Sequence, residues 1–191
     1  MDRIVLASAS PRRAELLRAA GIEFDVMPAH LDETAHAEEA PDAYVRRVAD
    51  EKARAIAARV TNRVVLAADT TVVVDGAMLA KPDDDEDAKR MLRLLSGRVH
   101  DVLTAVALRG PEGSAPQVAV SRTEVEFARL VEEEIEWYVA TGEPRDKAGA
   151  YAIQGYASRF VTRIAGSYSN VVGLPIALVY EMLEALGPTT P

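Results

Sequence analysis

Apolar residues along the chain switch between short continuous runs and helical stripes. Ile4 to Ala7 is a run of the length of a buried strand. Ser10 and Pro11 follow as N-cap and first helical position, and Ala14, Leu16, Leu17 and Ala20 form a helix that stops at Gly21. Phe24 to Met27 predicts a second strand, and His30 to Ala40 is polar, acidic and loop-like. Pro41 opens a longer helix with the stripe Val45, Val48, Ala49, Ala53, Ile56, Ala57 and Val60. Val64 to Ala68 reads as a fully buried strand ending at Asp69. Thr70 to Val74, Asp75-Gly76 and Ala77 to Ala80 predict a hairpin with a two-residue turn. Asp83 and Glu86 have capping-box spacing before a helix bearing Met91, Leu92 and Leu95, closed by Gly97.

Val99 to Leu108 and Gln117 to Phe127 predict two long strands joined by a turn around Pro111 and Gly113. Leu130 to Ala140 is an amphipathic helix. Gly142 to Gly173 is rich in glycine and small polar residues, with short apolar pieces such as Phe160 to Ile164. Pro175 opens a last helix with Ile176, Val179, Met182, Leu183 and Leu186, closed by Gly187. Helices and strands alternate without repeat or linker, so the fold class is α/β or α+β in a single domain over residues 1–191.

Composition narrows the function. Hydrophobic residues are 49% and charged residues 27% of 191, enough for a sizeable core without staples. The net charge of −8 speaks against sequence-independent nucleic-acid binding, which rests on neutralising phosphates. A local basic pocket for a small anion stays compatible with it. The absence of cysteine excludes disulfides, thiol catalysis and Cys-based zinc sites. The run after Arg3 is too short for a signal-peptide core, and Val171 to Tyr180, broken by Gly173 and Pro175, is about half a membrane span. The expectation is a cytoplasmic protein with no targeting or membrane segment.

Three features suggest chemistry. In Ser8-Ala9-Ser10-Pro11-Arg12-Arg13 a strand enters a helix N-terminus whose first turn holds two arginines. Free N–H groups already make that end positive, so two more cations invite an anion; phosphate would be met by backbone donors, hydroxyls and guanidinium forks. A solvated helix start with arginines reaching for carboxylates is the plain alternative. Lys52 falls inside the apolar stripe, where it either snorkels outward or lines a cleft. Asp69 at the carboxyl end of a buried strand sits where open α/β sheets place ligands; it can bind a metal, activate water or cap a turn. Lys81, just after the hairpin, would join it in a phosphate-ester pocket. His30, His36 and His100 lack metal-ligand spacing, and neither a P-loop, a Rossmann glycine pattern nor a GxSxG elbow is present.

Five segments, LASASPRRAELL from Leu6, AADTTVVVDGAMLAKP from Ala67, LSGRVHDVLTAVAL from Leu95, DKAGAYAIQG from Asp146 and GSYSNVVGLP from Gly166, together resemble the Maf family of nucleoside triphosphate pyrophosphatases. The resemblance implies a single elongated Maf/ITPase-like domain, with a bent mixed sheet flanked by helices and two lobes around a cleft. It implies hydrolysis between the α and β phosphates with a divalent metal, Mg²⁺ or Mn²⁺, and a homodimer. Position by position, Asp69 matches the proton acceptor, and Ser8, Arg12, Arg13, Lys52 and Lys81, with Ser10 in the same segment, match phosphate handling. Glu33 matches a further active-site carboxylate and, with Asp69, is a candidate metal ligand. Arg12, Thr70 and Gln154 match selectivity positions of the branch acting on dTTP and UTP. Clearance of non-standard nucleotides is one role this would serve. The alternative is a nucleotide-binding regulator of cell division or septum formation whose hydrolysis is incidental.

Overall fold

The structure, a computed structural model, describes residues 3–111 and 114–186. Gly113 and Gly187, read above as a turn and a helix stop, lie outside the described residues. The elements are β1 (Ile4–Leu6), α1 (Pro11–Ala19), β2 (Phe24–Val26), α2 (Pro41–Ala57), β3 (Val65–Val74), β4 (Ala77–Leu79), α3 (Asp85–Leu95), β5 (Val99–Arg109), β6 (Gln117–Phe127), α4 (Glu132–Ala140), β7 (Val161–Ala165), α5 (Tyr168–Val172) and α6 (Ile176–Ala185). Three 3-10 turns lie between α4 and β7. The seven strands form one mixed sheet of order β2-β1-β3-β5-β6-β7, with β4 paired to β3. β1 runs parallel to both β2 and β3, whereas β3–β4 and β6–β7 are antiparallel. This is the mixed α/β class. Among the described residues no helix is long and apolar enough to cross a membrane.

The chain divides into two compact units. The first comprises residues 1–69, 104–121 and 173–191. Its core joins Ile4 and Leu6 of β1, Ala14 and Leu17 of α1, Leu66 and Ala68 of β3, and Leu174, Val179, Met182 and Leu183 at the start of and along α6. Side chains alternate along a strand, so Leu66 and Ala68 face this cluster while Val65, Ala67 and Asp69 face the other way. The buried stripe of α2, Val45, Val48, Ala49, Lys52, Ala53 and Ile56, is the counterpart on that side.

The second unit comprises residues 70–103 and 122–172. Its centre is an aromatic cluster in which Phe127 meets His100 at 5.0 Å, Tyr151 at 4.8 Å and Phe160 at 6.2 Å between ring centroids. His100 is buried and its Nε2 pairs with the Tyr151 hydroxyl at 2.9 Å, so desolvation lowers its pKa to about 4 and keeps it neutral.

Two local readings are revised, and a third, Ser10 as the N-cap before Pro11, holds in position. β3 does not end at Asp69, because Thr70 to Val74 are β-branched and extend it to Val74. The partner β1 ends at Leu6, opposite Leu66, so Asp69 lies on a strand interior but beyond its parallel neighbour. The cap of α3 is Asp84, whose carboxylate accepts from the Asp87 N–H at 2.7 Å, one residue after the predicted Asp83. Ser10 occupies the N-cap position of α1 without a side-chain cap. Its own N–H donates to Ser8 Oγ at 3.2 Å.

Candidate active site

In the first unit the geometry gathers around Lys52. The ammonium donates to Asp69 Oδ1 at 2.8 Å and to Glu33 Oε1 at 2.8 Å. Lys52 and Asp69 side chains are only 8% and 7% exposed, against 38% for Glu33. Lys52 therefore does not snorkel. It faces the sheet because its place in the stripe points it there, and strand parity aims Asp69 back at it. A buried lone ammonium would be costly, and the two carboxylates offset that cost.

Ser8 and Arg13 form the adjoining part. Arg13 Nη1 donates to the buried Ser8 Oγ at 3.1 Å, and Nε donates to the Gly173 carbonyl at 2.9 Å. The guanidinium is thus anchored at a residue 160 positions away in sequence. Its pKa is lowered, first by burial and by the neighbouring charge of Arg12, against the pull of Asp69 and Glu33. Arg12 is half-buried in the same helical turn. Asp69 is shifted the other way: burial raises its pKa, opposed by Lys52 and Arg13, and Glu33 adds to the rise. A carboxyl whose pKa is raised by burial among fixed cations is the kind of perturbed group that marks a candidate site.

Thr70, Lys81 and Gln154 belong to the second unit. Thr70 is half-buried next to Asp69 on β3, on the opposite face of the strand. Lys81 is exposed in the bend after β4. Just before it, the Ala80 carbonyl accepts from the Gly149 N–H at 3.1 Å. Gly149 has φ +68°, and a Cβ there would come within 2.9 Å of Val72, so only glycine fits.

Gln154 is exposed in a turn closed by the Gly155 N–H to the Ala152 carbonyl at 3.0 Å. Glu143 braces this turn: its carboxylate accepts from Tyr138 Oη at 2.8 Å, from the Tyr156 N–H at 3.0 Å and from the Ala157 N–H at 3.4 Å. The Tyr138 hydroxyl in turn accepts from the Ala152 N–H at 3.2 Å. A Cβ on Gly155 would stand 2.0 Å from Glu143 Oε2, which explains the small residue beside Gln154.

Sequence reasoning on residue types alone passes over Glu33, which it reaches only through family resemblance, and over Tyr44 and Arg47 on α2. Tyr44 Oη donates to the Glu33 carbonyl at 3.0 Å and Arg47 Nη2 to the Thr34 carbonyl at 3.1 Å. Their only advance signal is a tyrosine and an arginine three apart at the start of α2.

Residues 3–186 match the family model described as Maf-like protein. The chain is 53% identical over 184 residues to the dTTP/UTP pyrophosphatase of Koribacter versatilis (strain Ellin345), covering 96% of this chain and 94% of that one. It is 56% identical over 188 residues to the dTTP/UTP pyrophosphatase of Anaeromyxobacter dehalogenans (strain 2CP-C), covering 97% and 94%. The Staphylococcus aureus Ham1 protein shares the fold, with a TM-score of 0.57 at 15% identity over 96% of this chain and 99% of the other. A match across almost every described residue, carried by relatives at more than half identity, means that this chain belongs to the Maf-like protein family.

Proposed function

We propose that the protein hydrolyses dTTP and UTP to the monophosphate and pyrophosphate, as the names of its relatives indicate for them. The observation that carries the reading is the buried Lys52 held at 2.8 Å from both Asp69 and Glu33, beside the Ser8–Arg13 pair. Such an arrangement supplies cations for phosphate oxygens and a base of raised pKa for water. Phosphoanhydride hydrolysis asks for little else than positioning and charge stabilisation. Asp69 takes a proton from the attacking water as its oxygen bonds to the α-phosphorus, and the bond to the β-phosphate oxygen breaks with pyrophosphate leaving. Lys52 and Arg13 offset charge on the phosphates, with Ser8, Ser10, Arg12 and Lys81 assigned to the same task. Thr70 and Gln154, with Arg12, are assigned to base selection.

Glu33 and Asp69 offer an oxygen-only donor pair, the set that Mg²⁺ and Mn²⁺ accept together with phosphate oxygens. Among the described residues no group of three or more His, Asp or Glu side chains is arranged to hold an ion, so Glu33 and Asp69, both held at 2.8 Å by Lys52, are the residues that would hold one. When bound there, such an ion would supply Lewis-acid charge stabilisation to the triphosphate. We place the protein in the cytoplasm as a homodimer, with no nucleic-acid or membrane partner; the net charge of −8 supports the exclusion of nucleic acid.

Chromatography of early time points tests the reaction. UTP and dTTP should yield UMP or dTMP and pyrophosphate, with turnover abolished by EDTA and restored by Mg²⁺ or Mn²⁺. UDP with orthophosphate as first products, or tight binding without turnover, would overturn the reading.

A further inference from the structure

Glu33 reaches Lys52 from the segment between β2 and α2, which runs through residues 27–40 without regular structure. Long irregular connections in compact units usually carry function. They also carry a difficulty. A carboxylate on a loop, 38% exposed, is spread over many positions unless the backbone beneath it is fixed.

Here α2 fixes that backbone. Tyr44 Oη donates to the carbonyl of Glu33 itself, at 3.0 Å, and Arg47 Nη2 donates to the carbonyl of Thr34, at 3.1 Å. Tyr44 and Arg47 are three residues apart, hence on one helical face, and the guanidinium lies 5.7 Å from the centre of the Tyr44 ring. Arg47 also grips the far side of the loop. Its Nε and Nη2 donate to Glu39 Oε1 at 2.7 Å and Oε2 at 2.8 Å, a two-pronged pair, and Nη1 reaches Glu51 at 3.3 Å. Glu39 Oε2 closes the segment by accepting from the His36 N–H at 3.0 Å. Within it, Asp32 Oδ1 accepts from the Thr34 N–H at 2.9 Å and its hydroxyl at 2.6 Å.

The groups keep the charge states this requires. Arg47 first, then the His36 N–H, holds the Glu39 carboxyl down to about 2. Burial, with Asp69 and Glu33 next, pushes the Tyr44 phenol up to about 12, so it remains a donor.

We propose that Arg47 and Tyr44 are positioning residues of the hydrolysis: clamped between them, the loop delivers the Glu33 carboxylate to Lys52 and Asp69. The inference rests on the assignment of Glu33 to the active site made above. A brace that merely stabilises the fold would lower the melting temperature and leave the chemistry of the folded fraction unchanged. A positioning pair acts only through Glu33, so its removal costs nothing once Glu33 is gone.

The test is a double-mutant cycle on UTP hydrolysis by the full chain with Mg²⁺. It compares Glu33→Gln, Arg47→Ala and Tyr44→Phe, and each of the latter two combined with Glu33→Gln. Melting temperatures are measured alongside. Glu33→Gln should lower kcat by about 10². Arg47→Ala should lower it ~10- to 100-fold, the range for a group displaced by about 1 Å. Tyr44→Phe, which keeps the ring and removes one hydrogen bond, should cost roughly threefold to tenfold and serves if the arginine variant folds poorly. KM should change less than about threefold, because the phosphate-facing cations are untouched. In the Glu33→Gln background, neither substitution should cost more than about twofold. Losses of equal size in both backgrounds, or unchanged kcat in both single variants, would overturn the inference while leaving Glu33 in the site. Full activity of Glu33→Gln would remove Glu33 from the chemistry, and this inference with it, while product analysis still decides the reaction.

Discussion

Replacing Lys52 by Met keeps the length and apolar stem of the side chain and removes its charge. Two carboxylates that each sat 2.8 Å from an ammonium then face one another with that cation gone. Their fates differ. Glu33 is 38% exposed and turns to water at little cost. Asp69 is 7% exposed and cannot. Removing one partner of a buried pair typically costs about 3–5 kcal/mol, and for a chain of this length each kcal/mol lowers Tm by ~2–4 °C. The expected loss near pH 8 is therefore roughly 6–20 °C. Its pH dependence carries the mechanism. Burial already raises the Asp69 pKa, and Lys52 is the largest influence opposing that rise. Without Lys52 the folded-state pKa climbs further above its unfolded value, so the folded variant takes up a proton where the wild type does not. A carboxyl with a raised folded pKa gains stability as pH falls, by about 1.4 kcal/mol per pH unit, within the window between the raised pKa and the unfolded one. Because the wild-type Asp69 pKa is itself raised, the Tm gap should narrow on acidification, by ~3–6 °C per unit, between the variant's folded pKa and the lower wild-type one, and stay constant below both. Calorimetry of both proteins between pH 8 and pH 5, with circular dichroism to confirm the fold, measures it. A gap below about 2 °C at pH 8, or one that widens as pH falls, would refute the reasoning.

Asp69→Asn keeps volume and removes the base, so kcat for UTP should fall by at least ~10² with the fold intact by circular dichroism; near wild-type turnover would remove Asp69 from its role. Gln154→Ala should narrow the preference for dTTP and UTP over CTP and the purine triphosphates in kcat/KM, mainly by harming the former, because an amide can pair with the carbonyl and N3–H edge of uracil or thymine. Equal losses on all bases would reduce Gln154 to a loop residue. Gly155→Ala must displace the Glu143 carboxylate, whose oxygen lies 2.0 Å from the new Cβ, and Glu143→Ala deletes the same acceptor. Each should lower stability by about 1–3 kcal/mol in denaturant melts, and the double variant by clearly less than their sum.

The elements that could be read from the sequence are those whose signal is periodic. The α2 stripe from Val45 to Ile56 is legible in the chain, although Val60, read as its last member, lies past the helix end at Ala57, and with the stripe comes the odd position of Lys52; the apolar run before Asp69 marks that carboxylate in the same way. Where the signal is degenerate, the reading slips. Any of the acidic residues from Asp83 to Asp87 can cap a helix, and the cap falls on Asp84. An Asp after an apolar run looks like a strand end, yet β-branched residues beyond it keep β3 extended. Glu33 sits in an acidic loop with no period, so nothing in its neighbourhood distinguishes it from Asp32 or Glu38. Tyr44 and Arg47 act on backbone carbonyls, and since every residue has one, such contacts leave no trace in the pattern of side chains. Gln154 is legible through its small neighbours, but Glu143, the group that makes them small, becomes visible only when the turn is folded.

The anchoring of Arg13 at Gly173, and of β1 against Leu174 and α6, sets an order for synthesis on the ribosome. Strand β1 and helix α1 are made long before Leu174, Val179, Met182 and Leu183, which complete the apolar core they share with Leu66 and Leu108. Domains commonly assemble while the chain is still growing, at about 5–20 residues per second. The first unit cannot close until the residues from Gly173 onward have followed, because they supply one layer of its core and the anchor for Arg13. A released chain ending at Val172 should hold β1 and α1 protease-sensitive and open to chaperones, and extending it through Leu186 should bring protection and the Arg13 anchor together. A separation of 160 positions between Arg13 and its anchor is thus also a delay, during which the core around β1 stays unfinished.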